Sequence, residues 1–130
     1  MRQEKSWFIA SVAVSLIVAA LVVAPGAWAA STYKILHVFR RHSGGQNPSG
    51  NLVSDAAGNL YGTTSYGGVG YGVVFELTRS ASGGWSERVL HTFLGYGAQP
   101  QAGLLRGASG NLYGTAQGGT THGLVFEIEP

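Results

Sequence analysis

The sequence predicts an all-β fold built from two four-stranded antiparallel repeats behind an N-terminal export segment. Three observations lead there. Short blocks recur in the same order about fifty residues apart, Gly-rich turns punctuate apolar runs too short for helices, and no stretch after residue 30 carries a 3.6-residue apolar stripe. Composition narrows the field further: of 130 residues, 11% are charged, 21 are Gly and none is Cys. That excludes a disulfide scaffold, a zinc ribbon and a two-domain enzyme. So few charges cannot form the Lys/Arg stripe that phosphate backbones require, and nucleic acid is excluded as an expected partner.

The first element is the export segment. Arg2 and Lys5 give a positive start, Trp7–Ala24 is apolar except for Ser11 and Ser15, and Pro25-Gly26 precedes Ala27-Trp28-Ala29. A basic start, an apolar run, a helix breaker and a small-x-small triplet form a secretory signal, so residues 1–29 are expected to be a signal peptide cleaved near Ala29. The expected location is therefore secreted, extracellular or periplasmic. Membrane contact is expected only through an uncleaved signal segment. The remaining domain, residues 30–130, sets Lys34, Arg40, Arg41, Arg79, Arg88 and Arg106 against Asp55, Glu76, Glu87, Glu127 and Glu129, and is close to neutral.

That domain divides into repeat one, about 35–78, and repeat two, about 89–130. Leu36-His37-x-Phe39 returns as Leu90-His91-x-Phe93 after 54 residues. Gly58-Asn59-Leu60-Tyr61-Gly62-Thr63 returns unchanged as Gly110-Asn111-Leu112-Tyr113-Gly114-Thr115 after 52. Gly72-x-Val74-Phe75-Glu76-Leu77 returns as Gly123-x-Val125-Phe126-Glu127-Ile128 after 51. Blocks keep their order while spacing drifts, as expected of strands joined by variable surface turns. Gly58, Asn59, Tyr61, Gly62 and Phe75, with Gly110, Asn111, Tyr113, Gly114 and Phe126, are the expected structural signature.

Within repeat one, Asn51–Ser54 reads as a strand, Asp55–Asn59 as a tight turn with Gly58 at positive φ, and Leu60–Thr64 as the return strand. Gly67–Gly70 leads into Val73–Leu77, and Ser82-Gly83-Gly84 closes a hairpin with Trp85–Phe93. Gly103–Arg106 opens the second copy. Tyr33–Phe39 reads as an outer strand able to close a ring. Gly58→Val is expected to be the most damaging single substitution, because a β-branched residue resists positive φ. Four short strands per repeat and a periodic aromatic cue match a propeller blade, but propellers have about 4–8 blades. Two blade-like repeats make a partial β-propeller or a small two-sheet module. Their exposed edges imply self-association or further repeats as partners.

These blocks, in both copies and across residues 33–130, resemble the GloVer-type tandem repeat of bacterial choice-of-anchor extracellular proteins. The resemblance implies export, a surface or extracellular location, and long arrays ending in a sorting signal. Two copies and no anchor after Pro130 favour release over attachment.

No catalytic constellation emerges. Glu76 and Glu127 are copies of one another, which suits a structural hydrogen bond, and Asp55 is replaced by Gly107 in the second copy. Glu87 and Glu129 read as solvent-facing. His37 and His91 are likewise copies, expected to be partly buried, and no His pair has zinc spacing. No cofactor or metal is expected, since there is no Gly-x-Ser-x-Gly elbow, thiol or phosphate-cradling loop. The aromatic residues assigned to loops, Tyr66, Tyr71, Trp85 and Tyr96, are the candidate ligand contacts, for a carbohydrate or a protein. The leading expectation is a secreted non-catalytic β-repeat module with a binding or scaffold role. The alternatives are a glycan-active propeller enzyme assembled from several chains, with its site at the ring centre, and a truncated fragment of a longer repeat array.

Overall fold

The computed structural model describes residues 31–40, 44–94, 98–118 and 122–130, so the expected signal helix, its cleavage point, His42 and Tyr96 lie outside the described residues. Within the compact unit Lys34–Pro130, the described residues form two antiparallel sheets and no helix. Sheet one has the order β1 (Gly45–Ser54), β2 (Leu60–Gly67), β3 (Val73–Arg79) and β4 (Trp85–Thr92). Sheet two has the order β5 (Leu105–Arg106), β6 (Leu112–Gln117) and β7 (Gly123–Ile128). The sheets are all-β and up-and-down as the turn pattern predicts, and neither closes into a barrel.

The turns form where the residues make them cheap. Asp55 Oδ1 accepts the Asn59 backbone N–H at 2.9 Å, Gly58 N–H donates to the Asp55 carbonyl at 3.2 Å, and Gly58 has φ +83°. The second copy repeats this turn with backbone bonds alone: Gly107 N–H donates to the Asn111 carbonyl at 2.8 Å, and Gly110 N–H to the Gly107 carbonyl at 3.0 Å. Pro48 lies in β1, an edge strand, where a missing N–H leaves no central ladder bond unmade.

Alternation along β2 and β3 gives sheet one two apolar faces. On one, Tyr61 and Val74 join Leu104, Leu112 and Ala116 of the second repeat, with Phe93 and Ala98 between them. On the other, Val73, Phe75 and Leu77 pack with Phe39, Leu60, Trp85 and Val89. A polar bond also ties sheet one to the segment before β5, since Thr63 Oγ1 donates to the Ala102 carbonyl at 2.9 Å, and Gln99 of that segment pairs with Gln117 of β6. Burying Phe75 against a neighbouring strand needs a position without a side chain. A Cβ at Gly62 would stand 2.6 Å from Phe75 Cζ, and one at Gly114 would collide with Phe126 in the same way.

Two expectations are corrected. The second repeat has three strands among the described residues, not four: the block that builds β4 has its remaining sequence counterpart ahead of β1, at residues 34–38. That counterpart is not a strand either. Residues 34–39 are extended without a ladder, because the outer place in sheet one beside β3 is already held by β4. Phe39 of this arm anchors inward, meeting Phe75 edge-on at 5.0 Å, and His37 is half-buried beside it.

Candidate functional site

Three groupings carry polar chemistry. The first joins turn to strands in sheet one. Cross-strand pairing sets Tyr61 opposite Glu76. The Tyr61 hydroxyl lies 3.1 Å from Glu76 Oε1 and 3.0 Å from Asp55 Oδ2, so one phenolic proton is shared by two carboxylates. Asn59 Nδ2 donates to the same Asp55 oxygen at 2.9 Å, and Arg88 Nε to Glu76 Oε2 at 2.7 Å. Burial, followed by the bonds to Asp55 and Glu76, pushes the Tyr61 phenol up to about 12. At Asp55 burial acts to raise the carboxyl, but hydrogen bonds from Asn59 and Tyr61 outweigh it and hold it below the ordinary value.

Sheet two repeats the grouping in open surroundings. Tyr113 donates to Glu127 Oε1 at 2.8 Å and Asn111 Nδ2 to the same oxygen at 2.5 Å. Those bonds, Asn111 first and Tyr113 second, hold the Glu127 carboxyl below its ordinary range, and the Tyr113 phenol is raised chiefly by Glu127. Asn59 and Asn111 thus serve different acceptors: Asn59 bonds Asp55, while Asn111, with Gly107 in place of the aspartate, reaches Glu127. A tyrosine bonded to a carboxylate in both copies ties adjacent strands together, and in sheet one it is buried away from any substrate.

The second grouping is a cleft of about 620 Å³ between the N-terminal arm and β4, lined by Leu36, His37, Val38, Arg40, Gly44, Glu87 and Val89. His37 Nε2 lies 2.9 Å from Glu87 Oε2, and Gly45 N–H donates to Glu87 Oε1 at 3.0 Å. Glu87 is therefore not the solvent-facing residue that strand alternation suggested: its side chain is 12% exposed. Tyr33 stands at the place of Glu87 in the other copy, so this histidine–carboxylate contact belongs to one repeat only. The contact between Glu87 and residues fifty positions earlier leaves no local signal in the sequence.

The third grouping is aromatic. Tyr66 lies on β2, a strand residue rather than the loop residue expected, and Trp85 opens β4, where the expected Trp85–Phe93 strand begins. Tyr66 is 46% exposed. Trp85 is half-buried against Val73, Phe75 and Leu77, with the Arg79 guanidinium 5.9 Å over its ring. Tyr71 is half-buried against the core shared by the sheets. Tyr71 and Trp85 thus pack against different cores, and Tyr96 lies outside the described residues. Among the described residues, no three His, Asp or Glu side chains are grouped to hold a metal ion.

Two sheets that reproduce one block order, one turn and one tyrosine–glutamate contact define a tandem β-repeat protein. The family model of the Gloeobacter/Verrucomicrobia repeat matches residues 25–130, and the chain belongs to that family. No curated protein and no solved structure matches the chain.

Proposed function

We propose that the chain is a secreted, non-catalytic β-repeat module that binds or scaffolds outside the cytoplasm. The observation that carries this reading is the duplication of the tyrosine–glutamate contact, Tyr61 with Glu76 and Tyr113 with Glu127, in the same cross-strand register. A carboxylate bonded to its cross-strand tyrosine in both copies is explained by strand pairing, which leaves the surface aromatics and the arm cleft for recognition. The apolar run and the Ala27-Trp28-Ala29 triplet support export.

The test has two readouts on protein recovered from an exporting host. Mass spectrometry of the N-terminus should find Ala30 first. Polysaccharide and glycan arrays should give binding without turnover, weakened by Tyr66→Ala. Hydrolysis or elimination of a glycan that is lost in Glu76→Gln would overturn the reading in favour of an enzyme.

A further inference from the structure

We propose that copies of this chain join head to tail by strand donation, with Lys34–Val38 of one copy forming the missing outer strand on β7 of the next. The first observation is a contrast between equivalent strands. β3 lies between β2 and β4, whereas its counterpart β7 pairs with β6 alone among the described residues. Along Val125–Glu127 the other edge of β7 carries no second ladder among those residues, and such an edge is a template for another strand.

The second observation names the occupant. The strand that covers β3 ends in Leu90-His91-x-Phe93, and the same block stands at Leu36-His37-x-Phe39, where it has no ladder partner. Ile35 and Val38, apolar and in an arm that belongs to no sheet, are exposed.

Register supplies the third. In sheet one Val74 pairs with His91, Phe75 with Val89 and Glu76 with Arg88, with a bulge between the first two pairs. Carried across by the repeat offsets, these become Val125 with His37, Phe126 with Ile35 and Glu127 with Lys34. The charges agree: the Arg88 guanidinium contacts Glu76 at 2.7 Å, and Lys34 would meet Glu127 in the equivalent place.

No refolding is needed. Phe93 leaves β4 and packs edge-on against Phe126 of the next sheet at 5.2 Å, and Phe39 already sits against Phe75 in the same way. The arm is therefore anchored at its C-terminal end as a donor strand would be, with Lys34–Val38 ahead of the anchor. Such a contact is heterologous, so it closes into rings or extends as a fibre. It deepens the scaffold reading by naming a second copy as partner, and rests on that reading only for its setting.

The chain contains no Cys, which makes cross-linking clean. The full chains His37→Cys and Val125→Cys, mixed and oxidised, should give a disulfide-linked heterodimer in much higher yield than either alone. Lys34→Cys with Glu127→Cys should do the same and spares the His37–Glu87 contact. By light scattering the wild type should be a multiple of the protomer mass, and Ile35→Pro, which alters an exposed residue outside every strand, should be a folded monomer. A wild-type monomer at every concentration would overturn the proposal. So would cross-linking no better than the single variants, or a His37→Cys/Val125→Cys chain that closes on itself. Loss of glycan binding would leave the cross-link intact, and loss of the cross-link would leave glycan binding intact, so the two readings fail separately.

Discussion

Phe93, just after β4, meets Phe126 in the second sheet edge-on, with ring centroids 5.2 Å apart, and His91 meets Phe93 edge-on at 4.8 Å. Phe93 is buried in the core shared by both sheets. Phe93→Ala should cost about 3–5 kcal/mol by large-to-small truncation. Its coupling to Phe126→Leu in a double-mutant cycle should be about 0.5–1.5 kcal/mol. Chemical denaturation of the four proteins measures both, and strict additivity would mean the rings do not hold the sheets together.

Gly62→Ala should be strongly destabilising despite its small size, because the new methyl meets Phe75 Cζ at 2.6 Å within a buried ladder. The expected loss is about 1–3 kcal/mol, as for other overpacked cores. Combining Gly62→Ala with Phe75→Leu should recover part of it, and thermal melting of the single and double variants reads this directly.

Among turn glycines the ranking differs from the sequence expectation. Gly58 has φ +83° and open space where a Cβ would go, so Gly58→Ala carries backbone strain alone, about 1–2 kcal/mol. Gly72, at φ +95°, adds to the same strain a collision with the Thr64 carbonyl oxygen. Gly72→Ala should therefore be worse than Gly58→Ala, and Gly72→Val worse than Gly58→Val. Paired denaturation curves decide the order.

Tyr61→Phe removes the proton shared by Asp55 and Glu76 and should cost about 1–3 kcal/mol. The phenol's folded value of about 12 lies above its ordinary 10.0, so the bond stabilises the fold fully below pH 10 and its contribution is lost as pH rises through 12. Wild-type melting temperature should fall across that window, and Tyr61→Phe should show a shallower fall.

Acid should act through the opposite sign. Glu127 and Asp55 are held below their ordinary values of 4.5 and 3.8, so their contributions are present above those values and fade as pH drops through the lower folded ones. Glu127→Gln should flatten the acid limb of a pH–stability curve. An unchanged limb would show that the Asn111 and Tyr113 bonds to Glu127 contribute nothing to folding.

Much of this architecture was legible in the sequence, for local reasons. Gly58 and Gly110 mark turns that close on backbone bonds within a few residues, and the apolar run Val73–Leu77 reads as the strand it forms. What escaped was non-local. Leu36-His37-x-Phe39 and Leu90-His91-x-Phe93 share their spelling, yet only the second has β3 beside it, so identical residues are a strand in one place and an arm in the other. Glu87 read as exposed because its partners, His37 and Gly45, come from before the first hairpin. Tyr66 reads as a loop residue because the glycines after it look like breakers, whereas the ladder runs through it opposite Gln46.

The paired tyrosine–glutamate contacts set one ancestral interaction in two surroundings, enclosed at Tyr61 with Glu76 and open at Tyr113 with Glu127. Mutational tolerance should follow enclosure rather than ancestry. Glu76 cannot change without removing the acceptor of Arg88 and one of the two acceptors of the buried Tyr61 hydroxyl, whereas in a lone copy Glu127 is free to drift to Gln or Asp. Strand donation would remove that freedom, so a population of variants that spares Glu127 as strictly as Glu76 would record assembly as a trait under selection.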